Sequence, residues 1–153
     1  MKTMWWISCQ PPQVVKLKVK VDRKLDPLPS LVEYLKGSSD EVGAVAIFIG
    51  VVRAVSDDGK VLKLCYEAHE TLAHKVLEEV VEDVKKKYGL IDVVAEHRLG
   101  DVLAGEDIMY VLVASKHRDE AYKALTELVD RIKREVPIWK KEYTEKSVKW
   151  VIG

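Results

Sequence analysis

Val42-Gly43-Ala44-Val45-Ala46-Ile47-Phe48-Ile49-Gly50-Val51-Val52 is almost wholly apolar and rich in valine and isoleucine. A run of this kind reads as a strand covered on both faces, and it is expected at the centre of a sheet. Downstream, polar Ser56-Asp57-Asp58-Gly59 turns the chain into a second strand, Lys60 to Glu67. Upstream, Leu28, Leu31, Val32 and Leu35 recur at helical spacing between Pro27/Pro29 and Gly37. Before that short helix, Lys16-Leu17-Lys18-Val19-Lys20-Val21 alternates as a half-exposed strand does.

Further along, Leu72, Val76, Leu77, Val80, Val81 and Val84 form one helical stripe between Glu70 and Tyr88, and Gly89 stands at the cap position. Two strands follow, Ile91 to Arg98 and Ile108 to Ala114, separated by a turn-rich stretch from Gly100 to Asp107. A third helix is predicted from His117 to Val136, with Ala121, Tyr122, Leu125, Leu128, Val129 and Ile132 inward and Pro137 as its stop. Ser147 to Ile152 reads as a last strand. The fold class is therefore α+β, with three helices packed on a largely antiparallel sheet.

At 153 residues the chain has the length of one domain. Residues 1–13, with Met4-Trp5-Trp6-Ile7 and then Pro11-Pro12, read as an N-terminal tail, and 14–153 as the domain. Twenty-five Lys+Arg balance 25 Asp+Glu, so no global field attracts nucleic acid or an anionic membrane. No apolar run is long enough to span a bilayer. Cys9 and Cys65 have no metal-ligand spacing, which implies a reduced, cytoplasmic protein with no disulfide framework and no metal site.

No phosphate-binding glycine loop, nucleophile elbow or paired His/Glu zinc motif is present. The candidates for chemistry are basic residues at the ends of elements. Arg53 leaves the apolar strand just before a flexible loop. His117-Arg118 opens the third helix after Ser115, a candidate N-cap, where free N–H groups beside cations suit a phosphate or carboxylate. His97-Arg98 ends another strand, and a structural role is favoured for it. Residues 131–153 carry seven Lys+Arg against three Glu. Lys133 and Arg134 complement the helix dipole, but Trp139-Lys140-Lys141 beyond the proline has no such explanation. Taken singly, Arg53 and His117-Arg118 read more often as solvated surface.

Together, these motifs resemble the large (catalytic) subunit of molybdopterin synthase. The resemblance rests on Gly50-Val51-Val52-Arg53, Tyr66-Glu67-Ala68, His97-Arg98-Leu99-Gly100 with Gly105-Glu106, Ser115-Lys116-His117-Arg118, and Val136-Pro137-Ile138-Trp139-Lys140-Lys141-Glu142. Their order and spacing hold from about Lys16 to Ile152. It implies an α/β hammerhead fold and a sulfur transferase. In such an enzyme a small ubiquitin-like partner inserts its C-terminal Gly-Gly thiocarboxylate and gives sulfur to cyclic pyranopterin monophosphate, two transfers making the dithiolene of molybdopterin. It further implies a homodimer core within a heterotetramer, and no cofactor. By position, Lys133 and Lys140 correspond to the catalytic lysines, and Arg53, His117, Arg118 and Lys141 to substrate-pocket residues. Glu142 is expected to orient the lysines.

Helix geometry adds a further expectation. His117 and Lys133 stand at opposite ends of one predicted helix, about 24 Å apart at 1.5 Å per residue. If both touch one substrate, the pocket is composite, with His117-Arg118 from one protomer and Lys133 and Lys140 from the other. The competing interpretation is a non-catalytic dimeric module that captures a phosphorylated ligand or an acidic tail in the same cleft. RNA binding through the basic C-terminal stretch ranks below both, because stacking aromatics in a sheet pattern are not evident.

Overall fold

A computed structural model describes residues 19–151. The tail at residues 1–13, residues 16–18 of the first expected strand and residue 152 of the last lie outside the described residues. Nine strands and three helices follow one another as β1 (Val19–Asp22), α1 (Leu28–Lys36), β2 (Ala44–Val51), β3 (Val55–Ser56), β4 (Gly59–Ala68), α2 (Glu70–Tyr88), β5 (Asp92–Arg98), β6 (Gly100–Leu103), β7 (Asp107–Ser115), α3 (Arg118–Glu135), β8 (Ile138–Thr144) and β9 (Val148–Val151).

The strands form two sheets. The first has the order β1-β5-β7-β2, and the second runs β3-β4-β8-β9 with β6 on the other edge of β4. Only β1 and β5 pair in parallel, so the α+β, largely antiparallel reading holds. The core lies between the first sheet and helices α2 and α3, where Leu77, Val80 and Leu128 meet Val93, Val111 and Val113. On the opposite face α1 buries Leu31 and Leu35 against Val94, Leu112 and Ala114.

The expectation for the Val42–Val52 run is corrected. β2 is an edge strand, and the centre of its sheet is β5 and β7. Its inner positions Ala44, Ala46 and Phe48 pack against the core, but Ile47, Ile49 and Val51 are 39%, 41% and 47% exposed. At nine residues, α1 is about 13 Å long. It covers β5, β7 and Val45, and ends short of the rest of β2.

Three local features differ from the sequence reading. The turn-rich stretch after Arg98 contains β6, and the Trp139-Lys140-Lys141 segment is strand β8. Tyr122 points to solvent instead of inward, while Ala121 and Ala124 fill the α3 contact. His117, not Ser115, is the N-cap residue of α3, and the Ser115 hydroxyl donates to the His117 carbonyl at 2.5 Å. α2 ends as expected, with Gly89 in the left-handed region at φ 62°. At its start the His69 ring accepts the Leu72 N–H, an imidazole serving as N-cap. No helix among the described residues is long and apolar enough to cross a membrane.

Candidate active site

A cavity of about 530 Å³ is lined by residues of both sheets and by the C-terminal end of α3. Its apolar wall is Phe48 and Met109 of the first sheet, Leu64 and Ile138 of the second, and Ile132 and Val136 at the end of α3. Arg53, Lys133, Lys140 and Glu142 bring charge into it, and Ser56, Tyr66 and His97 complete the polar lining.

Three separate elements deliver the three cations. Arg53 follows β2, whose exit is pinned because Val52 donates to the Glu106 carbonyl at 3.0 Å and accepts from Gly105 at 2.8 Å. Lys133 lies in the last turn of α3, beside buried Ile132, and the Val136-Pro137 break turns the chain directly into β8. Strand alternation on β8 then sends Ile138, Lys140 and Glu142 to the cavity and Trp139, Lys141 and Tyr143 to the other face. Lys140 stands opposite Tyr66 in register with β4.

Electrostatics follow from this crowding. Burial comes first, followed by Lys133 and Arg53, in holding the Lys140 ammonium below the usual lysine range, while Glu142 pulls the other way. Glu142 is itself buried and accepts a hydrogen bond from the Ser56 hydroxyl at 3.1 Å. Burial pushes the Tyr66 phenol up to about 12. Burial also lowers His97 to about 4, against its bond to the Arg98 carbonyl and together with the charges of Lys133 and Lys140. Among the described residues no cluster of His, Cys, Asp and Glu could hold a metal ion.

Of the sequence-derived candidates, Arg53, Lys133, Lys140 and Glu142 share this cavity. Lys141 does not reach it: its ammonium lies 4.7 Å from the centre of the Trp150 ring on the opposite face of the sheet. His117 and Arg118 are exposed at the far end of α3. The Gly43 N–H donates to the Ser115 carbonyl at 2.9 Å, and a Cβ on Gly43 would collide with the Lys116 carbonyl. The His117-Arg118 turn is thus fixed at the start of β2, whereas Arg53 lies beyond its end. Sequence reasoning passed over His97 as a site residue. Its place at an inward position of β5 near a strand end was the available signal.

The MoaE protein family model matches residues 21–135. The chain belongs to this family. The molybdopterin synthase catalytic subunit of Pyrococcus abyssi is 37% identical over 116 residues, 76% of this chain and 78% of that protein. Its Bacillus subtilis counterpart is 36% identical over 111 residues, 72% and 71% of the two chains. The crystal structure of molybdopterin synthase from Staphylococcus aureus superimposes with a TM-score of 0.80 at 30% identity, covering 89% of this chain and 98% of that one. The family match takes in Arg53, His117, Arg118 and Lys133, and ends before the strand that carries Lys140 and Glu142.

Proposed function

We propose that this cavity is the sulfur-transfer site of a molybdopterin synthase. The observation that carries the reading is the convergence of Arg53, Lys133 and Lys140, from three elements, on one apolar-walled cavity with a single carboxylate. Cyclic pyranopterin monophosphate brings a phosphate, the donor is a thiocarboxylate, and the spent donor is a carboxylate. Each is an anion, and preorganised cations in a partly dry cavity stabilise charge more than water does. Lys140, with its lowered pKa, is suited to pass protons as sulfur replaces oxygen on the substrate. Lys133, with Arg53, holds anionic groups, and Glu142 limits how far Lys140 is shifted. Lys141 has no part inside this cavity.

The donor is the C-terminal Gly-Gly thiocarboxylate of a small ubiquitin-like subunit, which enters as an extended tail. His117 and Arg118 serve the cavity of a second protomer, so that a homodimer forms the core of a heterotetramer with two equivalent sites. The uncovered outer positions of β2 support such an association, since Ile47, Ile49 and Val51 leave an apolar edge in the single chain. The unpaired Cys65 thiol is in keeping with a cytoplasmic location.

Reconstitution tests the reading. The chain, a thiocarboxylated partner and cyclic pyranopterin monophosphate are combined, and molybdopterin is followed as its fluorescent oxidised derivative. Product is expected with the native chain and little with Lys133→Ala. A folded, partner-bound native chain that makes no product would remove the assignment and leave a binding module.

A further inference from the structure

Lys140 and Glu142 alternate onto the same face of β8, and both line the cavity. Two residues along a strand their Cα atoms stand about 7 Å apart, a span that a lysine and a glutamate cross easily to form an ion pair. They do not form one. Among the described residues none of the cavity's three cations, Arg53, Lys133 and Lys140, has an ion-pair partner, and Glu142 has none either. The partner that Glu142 does have is neutral, because its Oε1 accepts the Ser56 hydroxyl at 3.1 Å. The Ser56 oxygen in turn accepts the Asp58 N–H at 3.3 Å, which leaves its single hydrogen for the carboxylate.

The charged groups around Glu142 are already sorted. Lys149 lies opposite it in the β8–β9 register, but Asp58, in the turn between β3 and β4, takes the Lys149 ammonium. On β4 the residue opposite Glu142 is Leu64, which has no polar side-chain atom to offer. Arg53 and Lys133 enter the cavity from the exit of β2 and from α3. The hairpin that carries Ser56 is fixed, since Val61 donates to the Ala54 carbonyl at 2.9 Å and Glu145, just after β8, donates to the Lys60 carbonyl at 3.3 Å. Resting on the sulfur-transfer reading, we propose that Ser56 is a positioning residue whose hydroxyl holds the Glu142 carboxylate off Lys140, so that the cavity keeps its cations unpaired for an anionic substrate. A hydroxyl suits this role, because it satisfies a buried carboxylate without adding a charge. Once released, the carboxylate would meet Lys140 on its own face of the strand. The lowered pKa of Lys140 agrees with an ammonium that no carboxylate holds.

The ligand-free protein supplies the test, with the Lys140 ammonium as reporter. Ser56→Ala frees the carboxylate, and Lys140 is then expected to hold its proton about 10-fold more tightly in an NMR titration of its side-chain nitrogen. Inorganic phosphate, the probe for an anion in the cavity, is expected to bind about 3- to 10-fold more weakly when followed at the Lys133 side-chain resonances. Ser56→Thr keeps the hydroxyl and should restore both values.

A second background separates positioning from a structural role of the hairpin. In Glu142→Gln the carboxylate through which Ser56 acts is gone, so adding Ser56→Ala should change neither the Lys140 titration nor the phosphate affinity. An unmoved Lys140 or an unchanged phosphate affinity in Ser56→Ala, a loss that threonine does not restore, or an equal effect in the Glu142→Gln background overturns the proposal. If the reconstituted native chain makes no product, the sulfur-transfer reading fails by itself, and the Lys140 titration still decides whether Ser56 keeps Glu142 away from that lysine.

Discussion

The two sheets of this protein divide its labour. In the first, β5 and β7 are buried along nearly their whole length, between α2 and α3 on one face and α1 on the other. The second has one face toward the cavity and the core, and the other toward solvent, where Trp139 and Trp150 are 52% and 54% exposed. The first sheet spends its side chains on packing. The second exposes one face, which allows its inner face to hold two charged residues, Lys140 and Glu142, beside open space. Away from His97, which lines the cavity at the end of β5, changes in the first sheet should therefore read out as stability, and changes on the inner face of the second as activity.

The largest effect is expected at Lys140. Lys140→Ala removes the lysine with the lowered pKa and should reduce kcat by about 100- to 1,000-fold, the range for losing a preorganised charge or a general acid-base group. Its neighbour Lys141, on the other face of the same strand, should change kcat by no more than about threefold when truncated. Parallel initial-rate measurements check the pair. Comparable losses in both would mean that the alternation of β8 does not sort chemistry from surface.

Leu112 gives the counterpart in the first sheet. It is fully buried on β7 beneath α1, and Leu112→Ala should cost about 2–5 kcal/mol in denaturant unfolding. The substrate KM of the fraction that remains folded should be unchanged. Ile47, its cross-strand neighbour on β2, should cost about 1 kcal/mol or less as Ile47→Ala in the separated chain. Equal costs would mean that the outer face of β2 is covered by something within the chain.

These neighbours also show what could be read without a structure. The helices, the turn at Gly59, the stop at Pro137 and the three cavity cations were legible, because periodicity, turn chemistry and the ordered motifs report local structure directly. The place of β2 was not. Eight consecutive strand residues that need burial do not say whether a helix of their own chain supplies it, and here α1 is too short to do so. Strand β8 was hidden for a related reason. Alternation of Ile138, Lys140 and Glu142 with Trp139, Lys141 and Tyr143 places charge on the cavity face and aromatics on the solvent face, which inverts the usual pattern. The same inversion put Lys140 and Lys141 in one motif although they face apart. Tyr122 was misplaced because the small residues Ala121 and Ala124 carry that stretch of the helix contact.

Glu96 is the exception inside the buried sheet. It is 1% exposed on β5, its Oε1 accepts the Asp26 N–H at 2.8 Å, and its Oε2 has no hydrogen-bond partner among the described residues. Burial first, and then the neighbouring Asp26 carboxyl, raise it from an ordinary 4.5 to about 7. Between those values the folded protein binds the extra proton, so stability falls as pH rises through this window and levels off above it. Asp26 is shifted the opposite way, its bonds to Glu96 and Lys20 outweighing its burial, and its contribution is lost on acidification. Those two groups by themselves favour pH near 5, but His97, lowered to about 4 by burial, adds stability as pH rises from about 4 to 6.5 and offsets most of that decline. Relative to the native chain, Glu96→Gln should therefore gain roughly 2 kcal/mol between pH 5 and pH 8. A stability difference between the two chains that is the same at both pH values, in urea titrations, would place the proton elsewhere.

The smallest effect tests the solvent face of the second sheet. Lys141 lies over Trp150 across the β8–β9 pairing, and Lys63 lies over Tyr143 at 4.7 Å on the same face. A cation over an indole at an exposed site contributes about 0.5–1 kcal/mol. If that face is stabilised only by such pairs, Lys141→Ala and Trp150→Ala should each cost about that much, and the double variant little more than either alone. This non-additivity is the signature of one shared contact. Fully additive losses would mean that Trp150 packs on β9 independently of the lysine, and a loss of activity accompanying either change would draw the outer face into the site. Intact activity with a small, coupled stability loss would leave β8 as a strand whose two faces do separate work: one anchors the sheet edge, and the other delivers Lys140 to the cavity.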